Sequence, residues 1–296
     1  MKLRRTLYGV LLVLQAGLVI TGGAVRLTGS GLGCPTWPEC TPGSYTPVPN
    51  QAEGQLHAWI EFGNRLLTFA LVAVALAVLA HVLFKKRRDL RLLALGQVLG
   101  ILGQGILGGI TVLTELHPLP VAGHLLLSII LIAGASSLYE RREYPIQRIK
   151  SADRITANLS ITHIWLTFIV IVLGSVVTGS GPHAGDEQAQ RFGFDIRAVA
   201  VLHADAVIAL LGLTLALYVA ARSNPLYLRR ILIFSVIALA QGAIGYIQYF
   251  TGIPEILVAA HLLGATLVWI AAWRIRLAIT TSPIHIPSSK VGETPQ

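Results

Sequence analysis

Apolar positions in this chain fall into eight long runs separated by short polar stretches, and inside the runs there is no alternation of period two. The runs cover about residues 7–27, 57–84, 92–113, 121–138, 161–177, 198–221, 231–250 and 256–275. Each is close to the roughly 20 residues with which a helix crosses about 30 Å of hydrocarbon. A lipid-spanning strand would need only about 10 residues of alternating character, so the pattern predicts eight transmembrane helices. The first run has no small-residue cleavage site behind it and reads as a span, not a removed signal.

Composition agrees with the pattern. Of 296 residues, 54% are hydrophobic and 12% charged, with a mean hydropathy of +0.68. A soluble domain carries about 25% charged residues, so a water-soluble globular protein is excluded. The net charge of +9 invites a nucleic-acid reading until the charges are placed. All but four of the 23 lysines and arginines lie in five groups: Lys2/Arg4/Arg5, residues 85–91, residues 141–154, Arg222/Arg229/Arg230, and the tail from Arg274 onward. These are the N-terminus, the even-numbered connections and the C-terminus. The positive-inside rule therefore sets both termini in the cytoplasm, and the connections 28–56, 114–120, 178–197 and 251–255 outside. The Pro/Ser-rich end, residues 283–296, is expected to be disordered. The expected fold is an all-α integral membrane protein, with the lipid bilayer rather than nucleic acid as its partner.

The chain also repeats itself. Gln104-Gly105-Ile106-Leu107-Gly108 recurs as Gln241-Gly242-Ala243-Ile244-Gly245, and twenty residues after each glutamine stands a His-Leu-Leu, at His124 and His261. Leu56-His57-Ala58 matches Leu202-His203-Ala204, and Thr28-Gly29-Ser30-Gly31 matches Thr178-Gly179-Ser180-Gly181. Two homologous four-helix bundles in parallel orientation follow. Their bounds are 1–140 and 159–280, with a cytoplasmic linker at 141–158 and a disordered tail at 281–296.

Candidate chemistry lies in four of the nine histidines. His57, His124, His203 and His261 each fall near the outward end of an even-numbered span. A lone histidine there is ordinarily a hydrogen-bonded helix-end residue; two repeat-related pairs at one depth suit a heme iron, which takes an imidazole on each face. Zinc or copper would want further ligands, and two histidines per half are all that the pattern supplies. Gly105, Gly108, Gly109, Gly242 and Gly245 would let backbones or a flat macrocycle approach closely. His81, His117, His163, His183 and His285 read as structural or solvated.

The opening of the second span carries unusual charge. In His57-Ala58-Trp59-Ile60-Glu61-Phe62-Gly63-Asn64-Arg65, Glu61 lies one turn from His57, and Asn64 about 10.5 Å along the same face. Charge inside a membrane helix is a functional hypothesis by default. Glu61 and Arg65 are also i,i+4 partners, so mutual neutralisation is the plainer alternative. The second half has Val207 and Leu210 at the matching positions. Asp205, two residues after His203, orients a ligand or caps its helix. Cys34 and Cys40, separated by five residues with two prolines, lie in the first outer loop, where a disulfide can form; a structural staple and a redox-active pair both remain open.

Taken together, eight spans in two similar halves, an outward histidine in each even-numbered span, the outer-loop pair Cys34 and Cys40, and the Glu61…Arg65 run resemble heme A synthase over roughly residues 1–280. The resemblance implies oxidation of a porphyrin-ring methyl group of heme O to the formyl group of heme A through hydroxylation steps, with heme b as cofactor. It further implies heme O as substrate, heme O synthase (a protoheme farnesyltransferase) and terminal oxidase assembly factors as partners, and a bacterial plasma membrane with the heme sites toward the outer face. Homo-oligomerisation stays open. By position, His203 and His261 would ligate heme b, His124 would ligate the substrate heme in the N-terminal half, and Glu61 would be the catalytic acidic residue. Cys34 and Cys40 would be the family's cysteine pair. One departure stands out. The family's run is Glu-x-x-His-Arg, and here Asn64 occupies the histidine position. An axial ligand has been lost or shifted, and His57 is the expected replacement. Arg65 would neutralise a heme propionate or Glu61 itself.

Two other classes compete. A di-heme membrane cytochrome b that only transfers electrons explains the four histidines but not Glu61 in one half alone, nor the cysteine pair. A transporter with parallel repeats would place its ionisable residues at mid-membrane, whereas here they sit near one face.

Overall fold

The computed structural model describes residues 2–143, 146–148 and 154–283. The elements are α1 (Lys2–Leu27), α2 (Gln55–Phe84), a 3-10 turn (Arg88–Leu90), α3 (Arg91–Leu113), α4 (Pro118–Glu140), strand β1 (Ile146–Arg148), α5 (Arg154–Ser180), α6 (Ile196–Ala220), α7 (Pro225–Phe250), α8 (Glu255–Thr280) and strand β2 (Thr281–Pro283). All eight α-helices are long and apolar enough to cross a membrane. The chain is thus a multi-pass, all-helical membrane protein, apart from one short ribbon.

Local chemistry explains where the helices begin. Asn224 caps α7, its side chain accepting from the Leu226 and Tyr227 amides, with Pro225 in the first turn. His117 caps α4 ahead of Pro118, and Asp195 caps α6 through the Ala198 amide at 2.7 Å. A proline in the first turn forfeits no helical hydrogen bond, and a side-chain acceptor satisfies an amide that has no carbonyl partner. The cap of α6 is therefore Asp195; Asp205 lies exposed in the middle of that helix.

Packing follows the repeat. Helix α1 packs on α2 and α4, and α3 closes the ring against the same two; α5 packs on α6 and α8, and α7 closes a second ring. The rings meet where α8 packs on α1 and α4, and α4 on α5. Two indoles fasten this seam: buried Trp269 donates to the Ile129 carbonyl at 2.7 Å, and half-buried Trp273 to Ser137 Oγ at 2.8 Å. At the basic end, the Glu140 carboxylate accepts from Arg230 at 3.1 Å and from Arg274 at 2.7 Å. The outward faces carry exposed Phe69, Leu102, Leu215, Val236 and Leu239, apolar surface that lipid would cover.

Helical structure of the second half extends into the segment expected as linker. Helix α5 begins at Arg154, inside the expected linker, because its first turns are buried at Thr156 and Ser160 and Ser160 Oγ accepts from Arg276 of α8 at 2.8 Å. The first three residues of the expected disordered tail pair antiparallel with the linker, Ile146 opposite Pro283 and Arg148 opposite Thr281. His285 and the rest of the Pro/Ser-rich end lie outside the described residues.

Candidate functional site

The two histidines of the second half meet inside their ring of helices. His203 on α6 and His261 on α8 have ring centroids 6.5 Å apart, inclined at 64°. Two imidazoles bound through nitrogen to one metal ion at about 2 Å each hold their centroids about 6 Å apart, so this spacing fits a shared axial metal. The Nδ1 atom of His203 lies 3.1 Å from the Val170 carbonyl oxygen. A carbonyl only accepts, so Nδ1 carries the proton and Nε2 keeps its lone pair for a metal. His261 Nδ1 is buried with no hydrogen-bond partner among the described residues. Each ring rests on a glycine: a methyl group on Gly174 would stand 3.2 Å from His203, and one on Gly245 3.2 Å from His261.

The first half reproduces part of this arrangement. His124 on α4 lies over Gly108 of α3, where a methyl group would stand 3.1 Å from its Nε2. The Gln104 amide donates to the His124 carbonyl at 3.1 Å, as Gln241 donates to the His261 carbonyl at 2.6 Å. The repeated Gln-x-x-x-Gly motif is thus a seat: glutamine grips the backbone of the histidine and glycine admits its ring. The other glycines divide. Gly109 receives the Trp37 indole, while Gly105 and Gly242 face open space. Neither glutamine was singled out as a site residue from sequence, although their fixed spacing from a histidine was the available signal.

On α2 the expected residues separate. Asn64 Oδ1 accepts from Thr21 of α1 at 2.7 Å. His57 Nδ1 lies 2.8 Å from Ser30 Oγ, near the start of the helix. Counted back from the basic ends of their helices, His124, His203 and His261 stand sixteen, seventeen and nineteen residues in, Asn64 twenty and His57 twenty-seven. Among the described residues, the rings of His57 and His124 make no contact resembling that of His203 and His261.

Glu61 and Arg65 clamp the cysteine loop. Glu61 is 6% exposed; Oε1 accepts from Arg65 at 2.6 and 3.1 Å, and Oε2 from the Cys34 amide at 2.7 Å. Arg65 also donates to the carbonyls of Cys34, Thr36 and Glu39 at 3.0, 3.1 and 3.2 Å. Cys34 and Cys40 form a disulfide and are fully buried. Gly33 lets the loop lie on the start of α2, since a methyl group there would strike the His57 carbonyl. The loop then carries Trp37 across to Gly109, next to the seat of His124. Ion pair, disulfide and indole thus form one roof over the first-half ring, and the second half has no counterpart to the ion pair.

Three further histidines among the described residues have protein partners. His81 pairs with the Tyr8 hydroxyl at 3.0 Å, His163 with Thr214 at 3.2 Å, and His183 with the Ile253 carbonyl at 2.8 Å. The His183 carbonyl in turn accepts from Arg26 of α1, which also donates to the Thr178 carbonyl at 2.8 Å, so the loops of the two halves are tied together. Among the described residues, no group of three or more His, Cys, Asp or Glu side chains could hold a metal ion; a closed zinc site needs four such ligands.

An eight-span helical protein with two imidazoles converging inside one ring of helices, and a clamped disulfide loop over the other, is of the heme-handling membrane class. Residues 5–185, more than half the chain, match the cytochrome oxidase assembly protein family (COX15-CtaA), and the chain belongs to that family. A heme A synthase of Shewanella oneidensis is 32% identical over 192 residues, 60% of this chain and 54% of its own length. One of Geobacillus thermodenitrificans is 29% identical over 119 residues, 39% of this chain and 35% of its own. One of Listeria monocytogenes serovar 1/2a is 28% identical over 186 residues, 60% of this chain and 59% of its own. The matched region thus spans between about a third and three fifths of these relatives.

Proposed function

We propose that this protein is a heme A synthase, an oxidoreductase that takes a ring methyl group of heme O to a formyl group through hydroxylation, with heme b as resident cofactor. The observation that carries the reading is the asymmetry between the halves. One half brings two imidazoles together, and the other joins a single seated histidine to a buried carboxylate and a disulfide loop. In this reading the N-terminal half holds the substrate and the C-terminal half holds heme b, which when bound supplies one-electron transfer. His203 and His261 would hold its iron, with the His203 tautomer set by the Val170 carbonyl. His124 ligates the substrate heme.

Glu61 is the catalytic carboxylate. It accepts three hydrogen bonds out of roughly four sites, so Oε2 keeps a lone pair with which to take a proton or to stabilise positive charge developing on the substrate. Arg65 pairs with Glu61 and binds the loop carbonyls, and Trp37 limits water entry from above. Both termini are cytoplasmic, and the roofed ends of the bundles face outward. Heme O synthase and terminal oxidase assembly factors are the proposed partners, the former supplying substrate and the latter receiving product.

The test is chromatographic identification of the hemes extracted from protein purified from a host that makes heme O. Heme b with heme A or hydroxylated heme O is expected. Heme b alone, with heme O present but neither bound nor converted, would identify an electron-transfer cytochrome instead.

A further inference from the structure

We infer that the first-half site holds its heme iron through His124 alone, with the opposite axial position open beside Asn64. The inference rests on the heme-site reading above and specifies its coordination. Helix α2 lies across the ring from α4, as α6 lies across from α8, so the partner of His124 must come from α2 at the matching depth. The residue at that depth is Asn64, twenty residues from the basic end against sixteen to nineteen for the three seated histidines. A carboxamide is a poor ligand to heme iron, and the Oδ1 of this one already accepts from Thr21 at 2.7 Å.

His57 is the rival. Its Nδ1 contact with Ser30 Oγ is the kind of outer support that a metal-binding imidazole uses, so hydrogen bonding alone does not decide between the two. Depth does. His57 lies seven residues beyond Asn64 on one continuous helix, about 10 Å at 1.5 Å per residue, whereas an imidazole must come within about 2 Å of the metal. Its ring also rests beside Gly54, where a methyl group would stand 3.4 Å from Cδ2, at the junction of α2 with the outer loop. The other candidate ligands of this half are placed elsewhere: His81 pairs with Tyr8 near the basic end of α2, His117 caps α4, the sole methionine is Met1, and both cysteines are in the disulfide.

A heme with a single axial histidine, as in globins and peroxidases, is high-spin and accepts an added ligand. A bis-imidazole heme is low-spin and closed. The experiment is electron paramagnetic resonance of the ferric protein purified with its hemes, alongside pyridine hemochrome counting of hemes per chain. Two hemes are expected, one low-spin and one high-spin, and added imidazole should convert the high-spin signal to low-spin. Asn64→His should make that conversion without imidazole, His57→Ala should leave both signals unchanged, and His124→Ala should abolish the high-spin signal alone. Two low-spin hemes in the wild type, one becoming high-spin in His57→Ala, would overturn the inference and make His57 the ligand. A single low-spin heme per chain under heme O supply would instead overturn the underlying reading that the first half binds heme, and the heme count distinguishes that failure from the other. Imidazole titration needs no substitution, so a poorly folding variant does not block the test.

Discussion

At the scale of single residues, the pair of buried Glu61 and half-buried Arg65 combines two duties that usually sit apart, since the carboxylate proposed to face substrate is also the anchor of the loop above it. Removing one partner of a buried pair leaves the other charge desolvated, at a cost of about 3 kcal/mol. Glu61→Gln should therefore abolish heme A formation while retaining heme b, and should lower the thermal unfolding midpoint in detergent. Wild-type amounts of heme A from this variant would remove Glu61 from the chemistry. Arg65→Lys keeps the charge but loses the planar fork that reaches three loop carbonyls, so it should loosen the loop and expose the disulfide to reductant, as thiol labelling would detect. The glycine seats give a cleaner contrast. Gly245→Ala puts a methyl group 3.2 Å from the His261 ring and should weaken heme b retention by about tenfold, the effect usual for groups that orient a metal ligand. Gly242→Ala, which meets nothing within 4 Å, should leave retention unchanged. Heme content of the two purified variants checks this.

At the scale of elements, the eight helices were readable because a membrane span must satisfy every backbone group internally, which turns twenty apolar residues into a helix almost without alternative. Their ends were less readable. Residues 154–158 are polar enough to pass for linker, but Arg276 of α8 donates to the Ala157 carbonyl and to Ser160 Oγ; no window of local sequence contains that partner. The ribbon of β1 and β2 joins segments more than a hundred residues apart for the same reason. The α4–α8 seam carries a prediction of its own. Trp269→Phe deletes the buried hydrogen bond to the Ile129 carbonyl and should cost about 1 kcal/mol, measurable as a lower unfolding midpoint with both hemes still bound.

At the scale of the whole molecule, charge asymmetry along the chain sets the proposed orientation. A periplasmically active reporter such as alkaline phosphatase, fused after Tyr45, should be active, and one fused after Arg142 inactive; the reverse pattern would invert the topology and move the heme sites to the cytoplasmic side. The sequence by itself determined the span count, the repeat and the short list of polar residues that a membrane would not tolerate without purpose, because hydropathy, charge and spacing are properties of local composition. Only the tertiary structure decided which of those residues meet. It separated His57 from the depth of the other histidines, tied Asn64 to Thr21, and revealed Gln104 and Gln241 as the grips of His124 and His261. It also turned Glu61, Arg65 and the cysteine loop into one connected roof. Those outcomes depend on which helix lies across from which and on where each helix begins. Packing between segments distant in the chain sets both.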